Sequence, residues 1–283
     1  MIAQNVELGV VMDNDAYHAS PGVSNSRLKV FMDDVREYHY QFLSGEYVPK
    51  SKACFDFGTA VHDVCLLGSS ANIVPIPSSV LASNGAKNGN KWKDFEAENA
   101  GKMLLKHDEF MAVLRCVDAV QKHEFAKSLL YSKGPTEHAF FFDDPSLGLT
   151  LRCKLDKLCM MPSGNAVMDL KTTATGTTPS KFAKQIGNFG YHHQDYFYKR
   201  VLRDVGVNVE NFFFVAVSTT EPHTVDCYTI NQDFMNLAQD EVEAALSDLS
   251  RRTKDNDWRS PSHNAFVELA PPNYLKYQGD YQL

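Results

Sequence analysis

The chain has 283 residues, of which 43% are hydrophobic and 22% charged, and carries a net charge of −7 at pH 7. This composition excludes a disordered tail and fits one large α/β domain. The negative balance weighs against a nonspecific DNA coat, whose affinity comes from neutralising phosphates; an acidic protein binds DNA if its cations line a channel while carboxylates crowd the outside.

The N-terminal MIAQNVELGVVMDNDAY lacks a basic lead, a long apolar core and a cleavage site, so no signal peptide is expected. Residues 24–43 read as a first helix, with Ser24 or Ser26 as N-cap and Leu28, Phe31, Met32 and Val35 as its apolar positions. A helix over 53–67 carries His62. Residues 68–90, ending in SNGAKNGNK, read as loop. Phe110, Val113, Leu114, Val117 and Val120 mark a helical stripe within 104–130. Three strands follow at 136–143, 148–161 and 166–172, separated by DPSLG and PSGN, which makes a β-meander. The stretch 179–204 reads as helix interrupted near Gly187 and Gly190. Strands at 211–219 and 223–230 and an amphipathic helix at 231–252 complete the pattern, and the C-terminal tail is irregular. The chain shows no internal repeat and no linker. The expected organisation is a single α/β domain over 1–283, with a helical part at 13–130 and a meander-and-helix core at 136–252.

No apolar run approaches the roughly 18 residues of a membrane helix, so a soluble, cytoplasmic protein without membrane contact is expected. The six cysteines, Cys54, Cys65, Cys116, Cys153, Cys159 and Cys227, form no CxxC pair, which predicts buried reduced thiols rather than a zinc knuckle.

The chemistry concentrates in GTAVHD (58–63), LRCKLDKL (151–158) and VMDLKTT (167–173). A PSGN turn centred between Pro162 and Ser163 sets Met161 against Gly164 and Asp156 against Asp169. Alternation then puts Lys171, Arg152 and Lys154 on the acids' face, with Leu151, Cys153, Leu155, Met168 and Leu170 on one packed face opposite. Two such carboxylates repel unless one is protonated or a cation lies between them. Oxygen ligands at this spacing suit Mg²⁺ or Mn²⁺, and Lys171 is suited to orient an attacking water and offset charge on a phosphorane. The bland alternative is an exposed hairpin with surface ion pairs. His62 follows the small Gly58 and Thr59 one turn back, which leaves its imidazole room to take a ligand.

GTAVHD, RCKLDK, MDLKTT and HHQDYFY, in that order, together with the opening NDAYHASPGVSNSRLKVF, resemble the PD-(D/E)XK nuclease superfamily, specifically its RecE-type exonuclease branch (exodeoxyribonuclease VIII catalytic domain). The resemblance runs from residue 13 to residue 258. It implies a restriction-endonuclease-like core, a central mixed β-sheet flanked by helices. It implies His62, Asp156, Asp169 and the Leu170 carbonyl as metal ligands, and Lys171 as the catalytic lysine alongside the acids. Gln194 and Tyr198 match a QxxxY motif on one helical face, which in the family lies beside the active site and holds DNA, with Gln194 also counted with the catalytic set. Glu137 and Arg152 take supporting places, Arg152 among the DNA contacts. Ser24, Ser26 and Arg27 at the first helix's start are candidates for the DNA's 5′-terminal phosphate, against the alternative that the serines merely cap. The family's "PD" proline is replaced here by Leu155, and Asp169 stands where much of the superfamily has Glu.

The activity implied is a Mg²⁺-dependent exonuclease, with Mn²⁺ as a substitute, that degrades one strand of linear double-stranded DNA from 5′ to 3′ and leaves a 3′ single strand. A ring-shaped homo-oligomer, a RecT-like single-strand annealing partner in recombination, and a bacterial or phage-infected host cell go with it. The alternatives are a structure- or sequence-specific endonuclease using the same site, a noncatalytic DNA-binding protein with a vestigial site, and a metal-binding regulator.

Overall fold

The computed structural model describes residues 9–48, 57–70, 72–260 and 262–271. A two-residue strand, β1 (Val10–Val11), leads into helix α1 (Asn14–Ala19), which Asp13 caps by accepting from the Ala16 amide. Ser24 caps α2 (Asn25–Asp33) in the same way. The single helix expected over 24–43 then breaks. Asp34 is extended at φ −151° and turns its carboxylate to the Arg36 amide, so it ends α2 and caps α3 (Val35–Phe42). Leu28 and Phe31 are buried as expected, whereas Met32 is exposed.

Helix α4 (Phe57–Leu67) carries His62; the part expected at 53–56 falls outside the described residues. The stretch 68–90 is more than loop, because it contains β2 (Ile73–Ile76) and a short 3-10 turn, and β2 pairs in parallel with β3 (Met103–Lys106). Between them α5 (Asn90–Glu98) buries Trp92. The helical stripe starts after β3 and divides into α6 (His107–Lys122) and α7 (Glu124–Leu130) at His123, whose Nδ1 accepts from the Ala126 amide.

The meander forms as expected, as β4 (Thr136–Asp144), β5 (Leu149–Met161) and β6 (Gly164–Thr173). Helices α8 (Pro179–Phe189) and α9 (Tyr191–Asp204) follow. The chain breaks at Gly190, whose left-handed φ of 64° a side chain would strain, while Gly187 lies inside α8. Strands β7 (Asn211–Ser218) and β8 (Val225–Tyr228) and helix α10 (Gln232–Asp255) come last. Residues 262–271 form neither helix nor strand.

The six-stranded sheet runs β1-β4-β5-β6-β7-β8, antiparallel except for β6 and β7, which are parallel because α8 and α9 cross over between them. Both faces of the sheet are covered, which corrects the one-faced hairpin read from the sequence. Leu151, Cys153, Leu155, Val167, Phe212 and Phe214 pack with α2, α3, α8, α9 and α10. Met168, Leu170, Val215 and Val217 pack with α4, α6 and α7. Burying one such phenylalanine is worth about 2 kcal/mol. The described cysteines are reduced, with Cys65, Cys116, Cys153 and Cys159 buried and Cys227 half-buried; Cys54 falls outside the described residues. Among the described residues no helix is long and apolar enough to cross a membrane.

Candidate active site

The β5–β6 ladder has the register that the PSGN turn dictates, from Met161 opposite Gly164 to Lys157 opposite Met168. It stops one pair short of the acids. There the Leu170 amide donates to Asp156 Oδ2 at 2.8 Å instead of to a backbone carbonyl. Strand alternation is also broken at this point, since Leu155 and Leu158, three residues apart, enter the same core layer. On β4 the residue between the Thr136–Lys157 and His138–Leu155 pairs is Glu137, with a left-handed φ of 53°. Such local distortion re-aims side chains, and it occurs where three chemically active residues meet.

From the α4 side, His62 Nε2 lies 2.9 Å from Asp156 Oδ2 and its Nδ1 lies 3.6 Å from Glu137 Oε1. One ligand atom from each of His62, Glu137 and Asp156 falls within 4.8 Å of the others. Lys154 is ion-paired with Glu137 and also donates to Asn14. Asp169 has the parity of Val167 and so faces α9, where Gln194 donates to its Oδ1 at 2.6 Å and Lys171 Nζ stands 2.6 Å from Oδ2. The Lys171 ammonium also sits 4.7 Å from the centre of the Tyr191 ring. Apart from the buried Asp169, these groups line a cavity of about 720 Å³, which Tyr198, Leu170, Ser24 and Ser26 also border.

The electrostatics follow from burial and pairing. Burial drags the His62 imidazole down, but the carboxylates of Asp156 and then Glu137 outweigh it and raise the pKa to about 9. Burial also works against ionised Asp156, yet His62, Lys171 and the Leu170 amide hold its carboxyl below the usual value. Asp169, 2% exposed, goes the other way: burial, reinforced by Asp156 and opposed by Lys171, lifts it to about 6. Lys171 keeps its proton firmly, because Asp169 and Asp156 overcome the burial that opposes it.

The donor set of one imidazole and neighbouring carboxylates, with Leu170 bordering the same cavity, fits a divalent cation. Of the residues expected at the site, His62, Asp156, Asp169, Leu170, Lys171 and Gln194 converge, and Tyr198 borders the same cavity. Glu137 is closer to the centre than a supporting place suggests; its register position opposite Asp156 across β4–β5 is the signal that could have placed it there. Tyr191 and Lys154 were not anticipated as site residues, although Tyr191, Gln194 and Tyr198 follow helical three- and four-residue spacing. Arg152 and Arg27 are elsewhere. Arg152 is fully buried, lies over the Tyr17 ring at 4.3 Å and donates to the Tyr17 and Gly22 carbonyls. Arg27 spends its guanidinium on the Gly22 and His18 carbonyls, at 2.8 and 2.9 Å. Neither lines the cavity, so both brace the 17–22 turn in this structure. Ser26 does border it, hydrogen-bonded to the capping Ser24 at 2.9 Å.

Residues 24–265 match the model of a PDDEXK-like domain of unknown function (DUF3799). The chain belongs to this PDDEXK-like family. The mixed sheet flanked by helices is the core expected for that fold. Among solved structures, a chain from Eubacterium rectale bearing the name "Putative exonuclease" superposes with a TM-score of 0.55 at 16% identity, covering 95% of this chain and 98% of that one. That likeness shows the shared fold. The structure of SSO0001 matches more weakly, with a TM-score of 0.28 at 14% identity over 65% of this chain and 84% of that one. Comparison with curated proteins finds no match.

Proposed function

We propose that this PDDEXK-like chain is a Mg²⁺-dependent exonuclease that degrades linear double-stranded DNA from 5′ to 3′ and leaves a 3′ single strand. The observation that carries the reading is the convergence of His62, Asp156, Lys171 and Gln194, drawn from four separate stretches of sequence, on one cavity, with the buried Asp169 held by Lys171 and Gln194 at its edge. The name of the Eubacterium rectale neighbour and the four-motif resemblance to RecE-type enzymes support exonuclease over endonuclease. The same resemblance supports a homo-oligomeric ring, a single-strand annealing partner and a cytoplasmic setting.

His62, Asp156, Glu137, Asp169 and the Leu170 carbonyl would hold the cation, which when bound lowers the pKa of water and stabilises charge on a phosphoryl group. Lys171 supplies a fixed positive charge at the same place. Its ammonium is held between Asp169 and the Tyr191 ring, so it donates to an attacking water or a phosphoryl oxygen without first reorganising. Gln194 fixes the Asp169 carboxylate from α9. The approximately 720 Å³ cavity takes a strand end, with the Tyr198 and Tyr191 rings on its α9 wall.

A digestion assay tests this. Linear duplex labelled at either 5′ or 3′ ends is incubated with Mg²⁺ alongside covalently closed circles, with and without EDTA. Release of 5′ label, intact closed circles and complete inhibition by EDTA are expected. Cutting of closed circles would replace the reading with an endonuclease, release only from 3′ ends would reverse the polarity, and no cleavage at all would leave a noncatalytic binder.

A further inference from the structure

A second group of ligating side chains lies on the same helix, outside the cavity. His192 and His193, in the first turn of α9, converge on Glu241 of α10. His193 Nε2 is 2.5 Å and His192 Nε2 is 3.7 Å from the same oxygen, Glu241 Oε2. The two ring centres are 4.0 Å apart, and one ligand atom from each of the three residues lies within 4.8 Å of the others. None of the three lines the cavity.

The hydrogen-bonding pattern has a conflict at its centre. His192 Nδ1 is 3.2 Å from the Ile186 carbonyl, which can only accept, so that nitrogen carries the ring proton. The neutral ring then aims an unprotonated Nε2 at a carboxylate oxygen, lone pair against lone pair. Burial, and after it His193, hold His192 below the ordinary imidazole value, which favours the neutral ring. His193 has a hydrogen bond to give Glu241 from Nε2, yet its buried Nδ1 has no hydrogen-bond partner among the described residues. A cation between the three side chains gives the His192 Nε2 lone pair a partner in place of the carboxylate oxygen. The Nδ1–H to carbonyl bond of His192 is also the arrangement that orients metal-binding histidines through their other nitrogen.

We infer that His192, His193 and Glu241 form a transition-metal site of the zinc type, separate from the cavity at His62. Two imidazoles and one carboxylate favour Zn²⁺ over Mg²⁺, which takes oxygen ligands and retains its waters. His192 is buried against the Phe234 ring, whereas the Glu241 side chain is 42% exposed and gives the ion its route and a water its place as fourth ligand. The metal fastens the start of α9 to α10. Because Tyr191 and Gln194 flank the histidines on α9, it also steadies the helix that holds Asp169. The site stands or falls independently of the nuclease reading.

The full chain carrying Asp156→Asn, which weakens the cavity as a competing site, is stripped with EDTA and titrated with Co²⁺. A visible d–d band displaced by one equivalent of Zn²⁺ is expected, with Zn²⁺ affinity at least tenfold weaker once Glu241→Gln or His193→Gln is added at unchanged far-UV circular dichroism. X-ray absorption of the Zn²⁺-loaded Asp156→Asn protein needs no change at the cluster, so it decides the matter even if those variants misfold. Two imidazole ligands support the site, since His62 is the histidine that the cavity brings together with Glu137 and Asp156. One imidazole or none, or Co²⁺ and Zn²⁺ binding untouched by the folded Glu241 and His193 variants, overturns it.

Discussion

The Leu170 amide donates to the Asp156 carboxylate at 2.8 Å where the β5–β6 ladder has already ended, so a backbone group that would pair in a regular sheet anchors an acid. His62 reaches the same carboxylate oxygen from α4, at 2.9 Å. Asp156→Asn keeps an acceptor for the Leu170 amide but removes the charge that His62, Lys171 and a divalent cation share. The nuclease rate should fall at least about a hundredfold, with the fold retained by circular dichroism. A rate within a few-fold of wild type would remove Asp156 from the mechanism.

Lys171 differs, because it offers a donor and no ligand. Lys171→Ala should lower kcat by about 10²–10³ while leaving Mn²⁺ affinity in calorimetry close to wild type. Loss of metal binding in step with rate would instead make the lysine a device for arranging Asp169.

The metal-free protein should lose stability as pH rises. His62 has a folded-state pKa of about 9 against an ordinary 6.5, so the folded chain holds that proton more tightly than the unfolded chain. The resulting stability is fully present below pH 6.5 and gone once pH has passed about 9. Asp169, lifted from 3.8 to about 6, acts in the same direction between those two values. A bound metal needs His62 deprotonated, so the rise in Tm on adding Mn²⁺ should grow over the range in which the EDTA-treated protein weakens. Thermal melts across pH 6 to 9, with and without Mn²⁺, check both trends, and a metal-free Tm flat across that range counts against the His62 pairing.

The meander is legible because turn chemistry fixes register: once PSGN closes the hairpin, Met161 faces Gly164 and the pairing holds as far as Lys157 and Met168, but the expected Asp156–Asp169 pair does not form, because Asp156 takes the Leu170 amide instead. The faces were less legible. Alternation assumes a regular strand, and the distortion at Glu137 and Asp156 lets Leu155 and Leu158 enter one layer. The break at Asp34 was hidden by an unbroken apolar spacing from Leu28 to Val35, although an aspartate two residues before Arg36 can take over as a cap. MLLK at 103–106 runs into the helical stretch expected from 104, since three apolar residues are too few for a period to tell strand from helix. The residues inside the four motifs are named from sequence, whereas Glu137, given only a supporting place there, depends for its position beside Asp156 on a strand pairing that brings residues 19 apart in sequence level with one another.

Glu137 should therefore matter more for metal than for DNA. It stands within ligand distance of the His62–Asp156 pair and is neutralised by Lys154. Glu137→Gln should weaken Mn²⁺ binding about 10- to 100-fold, and saturating metal should recover most of the rate. A rate that high metal fails to recover would give Glu137 a part in the chemistry beyond holding the ion.

Arg152 should behave as a structural residue. Its guanidinium is buried among carbonyls at Tyr17 and Gly22 rather than presented to the cavity, and the Tyr17 ring covers it. Arg152→Ala leaves buried acceptors unpaired and opens a space under the 17–22 turn, costing about 2–4 kcal/mol. Urea denaturation should show that loss, whereas the salt dependence of DNA binding by the folded fraction should keep its slope, because no phosphate contact has been removed. A slope reduced by about one, with stability unchanged, would mean that the arginine leaves its pocket to meet the nucleic acid.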